Sequence, residues 1–217
     1  MKTKRVIARL DIKNDALVKG VHLEGFRVLG DPGSFAKIYY EDGIDEIFYM
    51  DVVASLYGRN GLIDLIKKTA KEIFIPLTVG GGIRSIDDVA TLLAAGADKV
   101  CINTAAVQRP ELITEVVNVY GSSTLVIAVE AIKVDDQYMV FTDNGREHTG
   151  LKVSEWVKKI EELGAGEILL TSVDREGTGK GIDVELLEEV RNSVSISIVV
   201  HGGVGSIGDV YNIFENL

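Results

Sequence analysis

The segment IPLTVGGGIRSIDDV (Ile75–Val89) returns 121 residues later as ISIVVHGGVGSIGDV (Ile196–Val210). Val79, Gly81, Gly82, Ser85, Asp88 and Val89 pair with Val200, Gly202, Gly203, Ser206, Asp209 and Val210. The same offset pairs Glu46 with Glu167, and an offset of 119 pairs Asp11 with Glu130. A chain that repeats itself over half its length is expected to fold as two similar halves.

Each half is built from strand-then-helix units. Strands are expected at Arg5–Asp11, Glu46–Asp51, Ile75–Gly80, Lys99–Asn103, Leu125–Glu130, Glu167–Ser172 and Ser197–His201. These runs are almost wholly apolar, as strands covered on both faces of a parallel sheet are. Amphipathic helices are expected over about 34–42, 59–72, 86–95, 110–119, 152–163, 184–193 and 207–216. Two blocks of four βα units predict an α/β (βα)8 TIM barrel of two half-barrel repeats, about 1–120 and 121–217, forming one domain. The 217 residues suit the roughly 200–250 of such a barrel. Offset by 121, the unit that begins ADKVCINTAAV (Ala97–Val107) would recur just beyond Leu217. The expectation is therefore a barrel lacking its last βα unit.

Charge narrows the partners. The chain holds 23 basic and 33 acidic residues, a net charge of −10, which argues against nucleic acid. A small phosphorylated ligand stays compatible, because backbone N–H groups at helix starts hold phosphate without net positive charge. The lone Cys101 and three scattered histidines predict neither a disulfide nor a metal cluster, and no cofactor is called for. The start, MKTKRVIARLDIKND, reads as neither a signal peptide nor a membrane span, giving a cytoplasmic expectation with no membrane partner.

In such barrels chemistry gathers at the carboxyl ends of the strands. Asp11 and Glu130 end symmetric strands and form a candidate acid/base pair, or else each caps its own loop. Gly82 and Gly203, each between a strand and a helix, are candidate phosphate turns; two symmetric copies point to a substrate phosphorylated at both ends. Ser172–Gly181 is a candidate phosphate clamp or a plain surface loop. Lys13–Gly33 is long for a βα connection, so it is expected to be functional or mobile, with Lys19 closing over an anion or merely solvated. Lys133–Gly145 reads as an inserted hairpin. At the opposite barrel end Arg5, Glu46, Lys99 and Glu167 open strands, where spacing alone gives a salt-bridge plug. Trp156 belongs to a helix face and is expected in the core.

RVIARLDIK, LVKG, GDP, TVGGGIRS, ADKVCINTAAV, TGL and GAGEILLTSVDREGT, in this order, resemble the cyclase subunit (HisF) of imidazole glycerol phosphate synthase. The resemblance covers essentially the whole chain. It implies a lyase of histidine biosynthesis that uses ammonia to split a phosphoribulosyl-formimino precursor into imidazole glycerol phosphate and aminoimidazole carboxamide ribotide. It also implies a glutaminase partner (HisH-like) at the N-terminal barrel face, and Arg5, Glu46, Lys99 and Glu167 match all four positions of an ammonia gate. Asp11 matches one catalytic acid and Lys19 the mobile-loop lysine; Gly82, Asn103 and Thr104 match one phosphate site, Gly177 and Gly203 part of the other.

Four positions depart from the pattern. Glu130 and Glu176 stand where the family has aspartate, Arg9 and His201 where it has small residues. An added methylene shifts a carboxylate by on the order of 1.5 Å, and a misplacement near 1 Å can cost about 10²-fold in rate. Two alternatives to the cyclase therefore stay open: a HisF-like paralogue using channelled ammonia to amidate a bacterial surface sugar, and a non-catalytic barrel that activates a glutaminase.

Overall fold

The computed structural model of the chain describes residues 4–53 and 62–216. Seven strands run parallel: β1 (Ile7–Lys13), β4 (Glu46–Asp51), β5 (Leu77–Gly80), β6 (Lys99–Ile102), β7 (Leu125–Val134), β10 (Glu167–Ser172) and β11 (Ser197–His201). Their order in the sheet is β11-β10-β7-β6-β5-β4-β1. Two antiparallel additions hang from it. β2 (Ala16–Val21) and β3 (Glu24–Gly30) continue from β1, and β8 (Gln137–Thr142) and β9 (Glu147–Lys152) from β7.

Helices alternate with the parallel strands: α1 (Pro32–Glu41), α2 (Ile63–Thr69), α3 (Ile86–Ala95), α4 (Thr104–Gln108), α5 (Glu111–Tyr120), α6 (Val153–Glu162), α7 (Val184–Arg191) and α8 (Ile207–Asn216). Their starts are written in capping residues. Ser85 and Asp88 form a reciprocal capping box on α3, which ends at Gly96 in the left-handed conformation. Asp31 accepts from the Ser34 N–H to open α1, and Asp183 from the Leu186 N–H to open α7.

The sheet curls. Arg9 of β1 reaches Thr171 of β10 and His201 of β11, so the two ends of the parallel path face each other. Side chains alternate accordingly along β4. Ile47 and Tyr49 join the core under the helices, while Phe48 packs inward with Cys101, Val126, Ala128 and Leu169. Parallel α/β architecture of TIM-barrel type follows, as expected. The register also recurs: Ile7 lies opposite Glu46 and Ile47 opposite Leu77, while Val126 lies opposite Glu167 and Ile168 opposite Ile198.

Four expectations need correction. β1 and β7 do not end at Asp11 and Glu130 but run on to Lys13 and Val134, because each feeds an antiparallel hairpin. Lys13–Gly33 is not a long loop; its middle is the β2–β3 hairpin, paired through Lys19 and Arg27 among others. α4 lies where no helix is expected. The helix expected over 59–72 is seen as α2 from Ile63 to Thr69, and residues 59–61 lie outside the described ones. The insertion after the fifth parallel strand is a hairpin, and Trp156 is buried in the core, as expected.

Candidate active site

Glu130 sits mid-strand on β7, at the wall of a cavity of about 200 Å3 shared with Gly82, Asn103, Thr104, Asp143 and Asn144. Burial pushes its carboxyl up to about 7; a hydrogen bond from the Gly145 N–H (2.8 Å), the Arg9 charge and the Asn103 side chain pull the other way. Gly145 closes the β8–β9 turn, so the hairpin folds back over the strand that carries the acid. Asn144 ties that turn down by donating to the Val52 carbonyl. Thr104 donates to Asp143 at 3.2 Å. Asn103 Oδ1 is buried with no hydrogen-bond partner among the described residues. Buried polar atoms without partners are uncommon, and the Trp156 Nε1 in the core is another.

Asp11 lies four strands away along the sheet, on β1. Its Oδ1 accepts from Arg9 Nε at 2.8 Å and its Oδ2 from Lys19 Nζ at 3.5 Å. Lys19, on β2, also pairs with Glu176, in the glycine-rich loop after β10. Glu176 in turn accepts from the Leu23 N–H (2.8 Å), and its carbonyl from the His22 N–H (3.0 Å). The β2–β3 turn is thus pinned to the β10 loop by a buried carboxylate. Lys19, Glu176, Gly177 and Gly203 line one cavity of about 950 Å3 together with Arg9 and His201, and the cavity runs on along β1 and β11 to Arg5.

Gly177 and Gly203 have positive φ, 72° and 96°. A Cβ at Gly203 would run into the Gly181 carbonyl, whose own N–H donates to the Gly203 carbonyl at 2.7 Å. One at Gly177 would run into the Gly20 carbonyl. Gly203→Ala is expected to destabilise the chain by more than about 1 kcal/mol, read as a lower midpoint in a urea titration. An unchanged midpoint would show that this turn can relax.

At the other end of the strands, four charges close into a ring. Arg5 Nη1 meets Glu46 at 2.6 Å, Lys99 meets Glu46 at 3.2 Å and Glu167 at 3.0 Å, and Arg5 Nη2 meets Glu167. Glu46 is fully buried and also accepts from Thr78 at 2.7 Å. All four residues singled out from strand starts are thus in one group.

The sequence-expected residues therefore fall into three sets: Glu130 with Gly82, Asn103 and Thr104; Asp11 with Lys19, Glu176, Gly177 and Gly203; and the four-charge ring. Missed were Asp143, Asn144 and the Gly145 N–H. Their sequence signal was the polar DNG turn, whose three residues take positive φ and which only the fold places over Glu130. No described helix is long and apolar enough to cross a membrane.

The family model described as "Histidine biosynthesis protein" matches residues 5–217. Similar proteins named imidazole glycerol phosphate synthase subunit HisF come from several organisms. That of Legionella pneumophila is 55% identical over 208 residues, covering 95% of this chain and 98% of its own length. That of Lactococcus lactis subsp. lactis is 50% identical, covering 100% and 84%. That of Sulfurisphaera tokodaii is 46% identical, covering 99% and 86%. The chain belongs to the histidine biosynthesis protein family and stands among its HisF subunits.

Proposed function

We propose that the chain is the ammonia-dependent cyclase of histidine biosynthesis, with Asp11 and Glu130 as its acid/base pair. It would act on the doubly phosphorylated phosphoribulosyl-formimino precursor and release imidazole glycerol phosphate and aminoimidazole carboxamide ribotide. One observation carries the reading: two carboxylates from strands four steps apart sit in unlike surroundings. Both are buried, but Asp11 is paired with Arg9 and Lys19, whereas desolvation pushes the Glu130 carboxyl up to about 7. Two carboxyls with such different partners can divide the labour of proton acceptance and donation. Asp11 would take a proton from the nitrogen introduced by ammonia, and Glu130 would give one to the departing group.

The substrate would bridge two phosphate subsites. Gly82, Asn103 and Thr104 would hold one end; Gly177 and Gly203 would hold the other, with Lys19 and Glu176 beside them. The repeated registers support a single (βα) barrel domain of two halves, about 1–120 and 121–217, in which these sites are symmetry mates. Seven parallel strands of such a barrel lie among the described residues. The charge ring of Arg5, Glu46, Lys99 and Glu167 would admit ammonia from a glutaminase docked at its face. The names of the relatives support this reading over surface-sugar amidation and over a non-catalytic activating barrel. A cytoplasmic location goes with it.

Titration calorimetry tests the bridging. Binding of the bis-phosphorylated precursor is expected to be at least about tenfold tighter than that of imidazole glycerol phosphate, which has one phosphate, a difference of about 1.4 kcal/mol. Equal affinities would contradict the two-subsite reading.

A further inference from the structure

Arg9 occupies a place that is costly for a cation. Ile7, two residues earlier on β1, packs in the inward-facing apolar cluster with Phe48 and Cys101. Strand alternation turns Arg9 and Asp11 to that same interior. The Arg9 side chain is only 8% exposed, and a buried cation persists only when its partners are close and well directed.

Those partners come from three strands. Nε donates to Asp11 Oδ1 at 2.8 Å, and Nη1 donates to Thr171 Oγ1 at 3.3 Å and lies 3.2 Å from His201 Nδ1. A guanidinium has only donors, so a hydrogen bond from Arg9 Nη1 requires a neutral His201 ring with Nδ1 as its acceptor; Thr171 Oγ1 lies 3.2 Å from the same nitrogen. Burial, then the Arg9 and Lys19 charges, hold His201 well below its ordinary pKa, in agreement with that role. Glu130 of β7 lies directly opposite Thr171, the residue that Arg9 Nη1 meets, in the register of β7 and β10; Lys19 of β2, Cys101 of β6 and Glu176 after β10 complete the surroundings of Arg9.

Lys19 is the only other cation on Asp11 among the contacts described. It stands farther away, at 3.5 Å, is 41% exposed and is shared with Glu176. It cannot fix the carboxylate in direction. The planar guanidinium of an arginine can, because its Nη1 is held between Thr171 and His201 while its Nε meets Asp11.

We propose that Arg9 is a positioning residue for the acid pair. Its guanidinium fixes the direction of the Asp11 carboxylate, is itself clamped by Thr171 and His201, and presents its charge to Glu130. The assignment rests on reading Asp11 and Glu130 as the acid/base pair, but it can be tested without turnover.

Infrared titration of the Glu130 carboxyl band, identified by its loss in Glu130→Gln, gives that test in the full chain. In Arg9→Met the Glu130 midpoint is expected to rise by about one pH unit or more, because a facing positive charge is gone. In Arg9→Lys it is expected to stay closer to that of the unaltered chain. An unmoved midpoint in Arg9→Met overturns the assignment. Ammonium-driven kcat is expected to fall at least about tenfold in both variants, with KM nearly constant, since a lysine restores charge without the planar guanidinium. Should Arg9→Met fail to fold, Arg9→Lys decides: a kcat equal to that of the unaltered chain overturns the assignment. If the unaltered chain has no cyclase turnover while the midpoint shifts as expected, the cyclase reading fails and the role of Arg9 stands.

Discussion

Glu130→Gln is expected to lower ammonium-driven turnover by about 10²–10⁴-fold, the usual contribution of a positioned general acid or base. The glutamine keeps an oxygen for the Gly145 N–H, so the loss would report the missing proton and not a collapsed hairpin. The same change is expected to stabilise the fold above neutrality. The folded-state pKa of Glu130, about 7, lies above the ordinary 4.5, so the folded chain binds more protons than the unfolded chain between those values. Stability therefore falls as pH rises from about 4.5 to about 7. Above that window the buried charge is a full penalty, which Gln removes. Urea unfolding is expected to give the variant the higher midpoint at pH 8 and matching midpoints at pH 4. In the unaltered enzyme, turnover requiring protonated Glu130 should decline as pH rises through about 7. A rate level to about pH 9 would contradict Glu130 as the acid.

Glu46→Ala is expected to cost about 3–5 kcal/mol, because it leaves Lys99 and Arg5 facing Glu167 alone in a mostly buried ring. For a chain of this size that is a fall of roughly 6–20 °C in melting midpoint. Lys99→Met is expected to cost less, since Arg5 still pairs with both glutamates. Calorimetric melting compares the two, and a Glu46→Ala midpoint within about 2 °C of the unaltered chain would show the ring to be loosely coupled. Buried ion pairs contribute little net stability compared with apolar packing of the same volume. Losing one charge of the ring is thus costly even though the intact ring adds little net stability.

Much of the scaffold was legible because parallel strands covered on both faces leave unbroken apolar runs. β4 and β10 fall at the expected residues, as do the capped α3 and the start of α7. The β2–β3 hairpin was not legible. Its segments ALVKGV and EGFRVLG carry charge and glycine and are half exposed, so they lack the buried-strand signature. α4, five residues long, is too short for a helical period to register. At the site, symmetry singled out Asp11 and Glu130, and strand starts singled out the ring. The Arg9 contacts were invisible, because Thr171 and His201 lie 162 and 192 residues away in the chain. Its substitution for a small residue could be seen, but its partners are supplied by the curl of the sheet.

The most direct measurement is formation of imidazole glycerol phosphate from the phosphoribulosyl-formimino precursor by the purified chain with ammonium salt, beside Asp11→Asn and Glu130→Gln. Product is expected from the unaltered chain, with a loss of about 10²-fold or more in each variant. No product from a folded chain that binds the precursor, or equal rates in all three proteins, would contradict the cyclase reading.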